Sequence, residues 1–366
     1  MLTTKPARQT WIDYAKGIAI ILVLYRHVFE GIKNSNIEGW TNYMFLQHAN
    51  IMFFSFRMPL FFIVSGVFVA GSLKKRGLQS FIATKTRTIL YPYFLWGTLQ
   101  ISLQLIFSKF VNDPPEPKDY LYLFYLPRKI EQFWYLYCLF NVTVLYALAK
   151  AVLKWSPIQN IGIGLILYLF SAWAYQNNII LGFAEDIFHY YLFYAIGDAI
   201  SRLITNPDNR KYLESWKVLL VLLLPFVASQ VYYLKANLAY ESTNYDFVEY
   251  YQPFLYALIA LLGCAFIINL AFNLQKLKIL NWLHALGRHS LYIYVAHVLV
   301  LASVRVFMTK VLHIHNVPVL FASGVILGLL VPVMMYKLAV KMNMRWLFSL
   351  EKKRTTLQPV KAVQVQ

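Results

Sequence analysis

Long apolar segments alternate with short polar and basic stretches along almost the whole chain. A transmembrane helix needs about 20 largely apolar residues to cross a hydrocarbon core that is about 30 Å thick. By this criterion the pattern predicts about ten membrane-spanning helices, and hence an all-α, polytopic integral membrane bundle without a soluble domain. The predicted spans cover approximately residues 15–32, 43–70, 89–108, 133–153, 158–175, 179–201, 216–234, 250–272, 288–310 and 317–341.

The composition agrees with a membrane protein. The chain of 366 residues is 59% hydrophobic and only 14% charged, whereas a soluble domain carries about 25% charged residues. The formal net charge of +18 would suit a nucleic-acid-binding protein. The basic residues lie between apolar segments rather than on one amphipathic face, so we expect no nucleic-acid partner. Cys138 and Cys264 both lie in apolar segments, and a disulfide framework is therefore not expected.

The basic residues also indicate an orientation. If the N-terminus faces the cytoplasm, most of the 34 lysines and arginines fall on the cytoplasmic side, as the positive-inside rule requires. An even number of spans then places both termini in the cytoplasm. We expect a transmembrane domain over residues 1–350, followed by a polar cytoplasmic tail over residues 351–366.

Ionisable side chains occur inside the first apolar segment, where they are energetically expensive and usually functional. If Lys16 marks the cytoplasmic boundary of this span, His27 lies about 16 Å further along the helix, near the membrane midplane. Glu30 follows on the same helix face. Arg26 lies about 100° around the helix from His27, and it is expected either to pair with another helix or to snorkel to the interface.

Two other helices carry a titratable or charged residue at a similar depth. Arg57 lies about 14 residues into the second span, and His297 lies about 14 Å into the ninth. The convergence of His27, Arg57 and His297 at one depth predicts a functional site near the middle of the membrane. The structural alternative for Arg57 is an ion pair with Glu30 across the bundle.

The sixth predicted span is interrupted by acidic residues at its outer end. Glu185, Asp186 and His189 lie there, where water and an acceptor substrate can reach them. These residues either line an acceptor cleft or form an acidic cap at the membrane interface. The other histidines have no convincing metal-ligand spacing, and we expect no metal.

A basic cluster is expected at the cytoplasmic mouth of the bundle. Lys85 and Arg87 open the third span, just as Lys16 opens the first. Because phosphates are bound by charge-assisted hydrogen bonds, these residues are placed to hold a phosphorylated ligand from the cytosol. The sequence contains no P-loop or dinucleotide-binding glycine motif, which argues against a nucleoside triphosphatase or a Rossmann enzyme.

Several motifs, in the same order along most of the chain, resemble those of the membrane-bound acyltransferase family 3. The spacing of Lys16 and His27, with ten residues between them, is similar to that of the basic residue and histidine in the family's first helix. Lysine at this position, preceded by Ile12 and Asp13, resembles the subgroup that O-acetylates sugars of exopolysaccharide or O-antigen. The segments that carry the resemblance are WIDYAKGIAIILVLYRH (11–27), FRMPLFFIVSG (56–66), KTRTILYPYFLW (85–96), FWYLYCLF (133–140) and GRHSLYIYVAH (287–297).

The resemblance implies an O-acetyltransferase of the bacterial inner membrane, with acetyl-coenzyme A as the donor on the cytoplasmic side. Lys16, Lys85 and Arg87 would hold the coenzyme A phosphates. The acceptor would be a hydroxyl of a saccharide, either an exopolysaccharide or a lipid-linked glycan, and proteins of glycan synthesis would be partners.

Acyl transfer to a hydroxyl needs a base and a group that stabilises the oxyanion. Imidazole suits the first role because its pKa lies near working pH. His27 is therefore expected to be the base or a transient acyl carrier, and Glu30 is expected to orient it. Arg57 would stabilise the developing charge, and His297 would position the acceptor or its phosphate. The alternative is a transporter of sugars or anions, which also uses polar residues at the midplane but leaves the basic cluster at one mouth unexplained.

Overall fold

The computed structural model describes residues 9–35, 37–111, 114–240 and 245–351. These residues form seventeen α-helices and contain no β-strand, which confirms the all-α class. The predicted cytoplasmic tail lies outside the described residues except for Glu351. The helices are α1 (Trp11–Asn34), α2 (Met44–Gly66), α3 (Val69–Arg76), α4 (Leu78–Lys85), α5 (Tyr91–Ile106), α6 (Asp119–Tyr125), α7 (Trp134–Ala151), α8 (Pro157–Gln176), α9 (Ala184–Ala199), α10 (Ser201–Thr205), α11 (Arg210–Leu213), α12 (Trp216–Ala239), α13 (Phe247–Tyr251), α14 (Pro253–Leu277), α15 (Asn281–Arg288), α16 (Ser290–Val306) and α17 (Val317–Lys341).

Shorter 3-10 or π-helical turns extend several of these helices. The turn that matters for the site is the 3-10 segment Pro127–Phe133, which precedes α7 and is kinked at Ile130 and Glu131. The others are Trp40–Tyr43, Thr86–Leu90, Ser108–Phe110, Pro207–Asn209, Phe307–Val311 and Arg345–Leu347.

The helices of the described residues define a polytopic membrane protein, as the sequence predicted. Seven helical segments are long and apolar enough to cross a membrane: Trp40–Arg76, Pro127–Ala151, Pro157–Gln176, Trp216–Ala239, Pro253–Leu277, Ser290–Val311 and Val317–Lys341. The other three predicted spans coincide with α1, α5 and α9. Helix α1 has 24 residues but several charged side chains, whereas α5 and α9 have 16 residues each. The count of ten spans and the cytoplasmic termini stay predictions.

Helix α1 lies at the centre of the bundle and packs against α2, α14, α15, α16 and α17. Its contact with α15 is backbone to backbone. A Cβ atom on Gly17 would lie 2.2 Å from the carbonyl oxygen of Leu283, and one on Gly287 would lie 1.6 Å from that of Asp13. Small residues allow membrane helices to approach this closely. Both glycines belong to the motif segments, so the motifs fix where α1 sits.

Helix α2 meets α9 through a second pair of glycines. A Cβ atom on Gly66 would lie 2.1 Å from the carbonyl oxygen of Tyr194, and one on Gly197 would lie 2.3 Å from that of Ile63. Helix α2 is continuous from Met44 to Gly66 although it contains Pro59, so the proline does not break the second span. The close packing holds α2, and the arginine that it carries, against α9 and α1.

Candidate active site

A large cavity enters the bundle and ends beside α1. Its volume is about 900 Å³, within the range of about 300–1,000 Å³ that ligand sites occupy. It extends from His27 and Arg57, in the middle of α1 and α2, to Lys33 and Lys129. Since Lys33 lies in the last turn of α1 and Lys16 near its start, we name the two ends of the bundle the Lys33 side and the Lys16 side. The cavity therefore joins the Lys33 side to the middle of the bundle.

The structure brings together two of the predicted residues, His27 and His297. Their imidazole rings make an edge-to-face contact, with ring centroids 5.0 Å apart. His27 is half-buried and lines the cavity, whereas His297 is fully buried behind it. The sequence predicted that these two histidines lie at the same depth, and the structure shows that they are in contact.

Backbone contacts fix the orientation of His297. Its Nδ1 lies 2.7 Å from the carbonyl oxygen of Tyr294 and 3.1 Å from that of Ile293. A carbonyl can only accept a hydrogen bond, so Nδ1 must carry the proton and Nε2 must offer a lone pair. This Nε2 is buried and has no hydrogen-bond partner among the described residues. The tautomer leaves His297 with an acceptor nitrogen, and the ring that carries it contacts the ring of His27.

Arg57 lies beside the same part of α1. It is only 1% exposed, and its Nη1 donates a hydrogen bond of 3.1 Å to the carbonyl oxygen of Leu22. Its guanidinium also lies 5.4 Å from the ring of Phe54. The side chain lines the cavity, and among the described residues no carboxylate forms an ion pair with it, so its positive charge is held near His27.

Glu30 forms an ion pair with Arg26 rather than with Arg57 or His27. Nε of Arg26 lies 2.7 Å from Oε1 of Glu30, one helical turn away. The guanidinium of Arg26 also lies 5.5 Å from the ring of Phe54, the ring that Arg57 approaches as well. Arg26 therefore pairs within its own helix, a solution that neither of the two expectations for this residue included.

The opposite wall of the cavity is held by a second arginine. Arg128 makes a bidentate ion pair with Asp186, with Nε 3.0 Å from each carboxylate oxygen, and its guanidinium lies 4.8 Å from the ring of Trp134. Trp134 stacks in turn on Tyr190 at 5.6 Å. Asp186, expected either in a cleft or in an interfacial cap, is thus buried and anchors the cavity wall.

A buried pair of a histidine and a carboxyl group adjoins this wall, and its carboxyl group lines the cavity. Nε2 of His189 lies 3.2 Å from Oε1 of Glu249, and both side chains are at most 2% exposed. Burial raises the pKa of Glu249 to about 8, so this carboxyl is neutral at pH 7. Glu249 lines the cavity together with Glu185 and Tyr250. The wall opposite α1 is therefore rich in carboxyl and aromatic groups.

The predicted basic cluster lies away from this cavity. Lys85 is half-buried, with its ammonium 5.4 Å from the ring of Phe81. Burial, together with the smaller effect of the charges of Lys16 and Arg76, lowers the pKa of Lys85 to about 8. These three cations thus share one region, whereas Arg87 is exposed. In the part of the chain that the structure describes, the lining of the large cavity includes none of them.

The sequence did not single out three residues that line the cavity: Arg128, Glu249 and Arg305. Arg305 donates a hydrogen bond of 2.9 Å to the carbonyl oxygen of Gly31, close to His27. A signal existed for Arg305, because it follows His297 by two helical turns and so shares its face. Arg128 and Glu249 lie beside connecting segments, where no helical period indicates their partners.

The apolar helices surround a polar cavity, and a histidine and an arginine lie at its inner end. This arrangement defines a polytopic membrane protein with a candidate catalytic site. The sequence pattern of a family described as an acyltransferase domain matches residues 9–337. The chain therefore belongs to this family, the membrane-bound acyltransferase family 3 that its motifs resemble.

Among curated proteins, the chain is similar to the nodulation protein NolL of Mesorhizobium japonicum (strain LMG 29417 / CECT 9101 / MAFF 303099). The two are 28% identical over 92 residues, which is 25% of this chain and 24% of that protein. The match thus covers about a quarter of the relative's length. No solved structure matches the chain.

Proposed function

We propose that the protein is an O-acetyltransferase that moves an acetyl group from acetyl-coenzyme A to a hydroxyl of a surface polysaccharide or a lipid-linked sugar. The observation that carries this proposal is the edge-to-face contact between the rings of His27 and His297 at the end of the large cavity. Its natural location would be the cytoplasmic membrane of a bacterium, with the donor on the Lys16 side and the acceptor on the Lys33 side.

The proposed reaction uses His27 as a general base. The acceptor hydroxyl gives its proton to His27 as its oxygen attacks the carbonyl carbon of the thioester. The carbon–sulfur bond then breaks, and the proton passes from His27 to the departing sulfur, which leaves as the coenzyme A thiol. In this scheme the unpartnered Nε2 of His297 would accept a hydrogen bond from an N–H group of His27, so that His297 orients the base rather than contacting the acceptor.

Arg57 provides the positive charge in this scheme. The carbonyl oxygen of the thioester becomes an oxyanion when the hydroxyl attacks, and a fixed guanidinium in a site of low dielectric stabilises such charge strongly. Glu30 forms an ion pair with Arg26 and so offsets the second positive charge beside Arg57. Glu30 is therefore a positioning residue that acts through the arginines and not through His27.

The donor's phosphates would lie on the Lys16 side. Lys16 and Lys85 supply ammonium groups there, and Arg76 adds a third charge next to Lys85. Arg87 is exposed at the start of the third span, where it would meet the coenzyme as it arrives. An anionic ligand would relieve the repulsion among these cations, which favours binding of a polyphosphate. The acetyl group would then point along α1 toward His27.

The acceptor sugar would occupy the wide part of the cavity. Its carboxyl and aromatic wall, with Glu185, Glu249 and Tyr250, is chemistry suited to sugar hydroxyls and ring faces. The neutral carboxyl of Glu249 both donates and accepts hydrogen bonds, as a sugar hydroxyl does. These groups support a saccharide acceptor approaching from the Lys33 side.

The test is acetyl transfer by the purified protein in lipid. Radiolabelled acetyl-coenzyme A and cell-surface glycan are incubated with the wild-type protein, with His27→Ala and with His315→Ala, whose histidine is exposed and far along the chain from α1. We expect label on the glycan with the wild-type and His315→Ala proteins, and none with His27→Ala. Full activity of His27→Ala at normal abundance would refute the assignment. Uptake of sugar into proteoliposomes without any label transfer would support the transporter instead.

A further inference from the structure

A second, very small cavity lies beside His27. Its volume is about 20 Å³, and its walls come from α1, α16 and α17. We call it the niche. His27, Gly31, Leu301 and Arg305 line both the niche and the large cavity. The niche and the large cavity therefore share part of their walls, including the residue to which we assign the chemistry.

The rest of the niche wall is apolar. Val28, Val304, Leu320 and Gly324 contribute to it. A space of about 10–15 Å³ on this measure holds one water-sized group, so the niche accommodates a single such group. Apolar walls favour a methyl group over a water molecule, because water needs two to four polar partners.

The walls leave little room for expansion. Val28 and Leu320 are 5% and 3% exposed, so each is held by its neighbours. A Cβ atom on Gly324 would lie 2.9 Å from Cγ1 of Val28, which shows that α17 already approaches α1 as closely as side chains allow. A chain longer than one carbon would have to displace these groups, and tightly packed interiors resist such displacement.

We propose that the niche receives the methyl group of the transferred acetyl and so limits the enzyme to two-carbon acyl donors. This inference rests on the proposed function. During transfer, the acyl carbonyl carbon stays beside His27 while its bond to sulfur breaks and its bond to the acceptor oxygen forms. Only the methyl carbon enters the niche. A propionyl group would add a methylene for which the niche has no space.

The experiment compares acetyl-, propionyl- and butyryl-coenzyme A as donors for the purified protein in lipid. Val304→Ala enlarges the niche by removing two methyl groups from a half-buried side chain. Leu330→Ala is the control, since Leu330 lies on α17, is 53% exposed and is outside the niche. Leu320→Val enlarges the niche by one methylene and serves as a second variant if Val304→Ala is poorly produced.

The wild-type protein and Leu330→Ala should transfer acetyl at least about tenfold better than propionyl, because one methylene in an apolar pocket changes selectivity by about 10–200-fold. Val304→Ala should raise the ratio of propionyl to acetyl transfer by about tenfold. Equal transfer of the two groups by the wild-type protein overturns the niche assignment but leaves the proposed function standing. An unchanged ratio of propionyl to acetyl transfer in both Val304→Ala and Leu320→Val also overturns the niche assignment and indicates that water, not the methyl group, occupies the niche. Absence of transfer from every donor refutes the proposed function, and the niche assignment with it.

Discussion

Lys85→Arg tests whether the basic cluster on the Lys16 side binds the donor. Burial and the neighbouring charges of Lys16 and Arg76 lower the pKa of Lys85 to about 8. The lysine therefore carries its charge below pH 8 and loses that charge as the pH rises above 8. If this charge holds a phosphate of acetyl-coenzyme A, affinity for the donor must fall in the same interval.

The size of this effect follows from the pKa. A group with a pKa of about 8 is about 90% charged at pH 7 and about 10% charged at pH 9. The value of kcat/KM for acetyl-coenzyme A, which reports groups of the free enzyme, should therefore drop up to about ninefold over these two pH units. Arginine keeps its charge at all of these pH values, so Lys85→Arg should abolish this part of the drop.

The assay measures initial rates of acetyl transfer at pH 7 to 9, with the acceptor saturating. Lys75→Arg is the matched control, because Lys75 is an exposed lysine of α3. It should reproduce the wild-type profile. A drop of the same size and midpoint in Lys85→Arg and in the wild-type protein would refute the role of Lys85 in donor binding.

Three further predictions concern the site and the packing that holds it. His297→Phe removes the lone pair to which we assign the orientation of His27. The value of kcat should fall about 10²- to 10⁴-fold, which is the usual contribution of general base catalysis. Binding of acetyl-coenzyme A, measured by equilibrium dialysis, should stay within about twofold, and a fall in binding alone would contradict the orienting role. Glu249→Gln keeps a neutral hydrogen-bonding group and should leave the KM for the acceptor nearly unchanged at pH 7. Glu249→Ala should raise that KM about tenfold, because one hydrogen bond is lost. Equal values of KM for the two variants would count against acceptor binding at Glu249. Gly287→Ala places a Cβ atom 1.6 Å from the carbonyl oxygen of Asp13 and should destabilise the protein by about 1–3 kcal/mol or more. The measurement is the melting temperature in detergent, which should fall. Gly71→Ala is the control and should leave the melting temperature unchanged, because nothing lies within 4 Å of the added atom.

The sequence predicted the part of the site that depends on depth along a helix. The rise per residue is nearly constant, so counting from Lys16 and Arg288 placed His27 and His297 at one level. Their rings are in contact in the structure. The same arithmetic placed Arg57 at that level, and in the structure its side chain donates a hydrogen bond to the carbonyl oxygen of Leu22 in α1.

The parts that depend on rotation about a helix axis, or on a connecting segment, were not predicted. Arg26 and Glu30 are one turn apart, and their ion pair is a local alternative to the expected partner on another helix. The partnership of Arg128 with Asp186 joins the segment before α7 to α9. No periodicity links two such segments, and only their packing in three dimensions brings the charges together.

Transfer across the membrane is the central claim, and vesicles with known orientation of the protein test it most directly. Labelled acetyl-coenzyme A is supplied only on the Lys16 side, and an impermeant saccharide acceptor only on the Lys33 side. The account predicts labelled acceptor with the wild-type protein and none with His27→Ala. Label that appears only when donor and acceptor share one side, or that appears equally with His27→Ala, would contradict it.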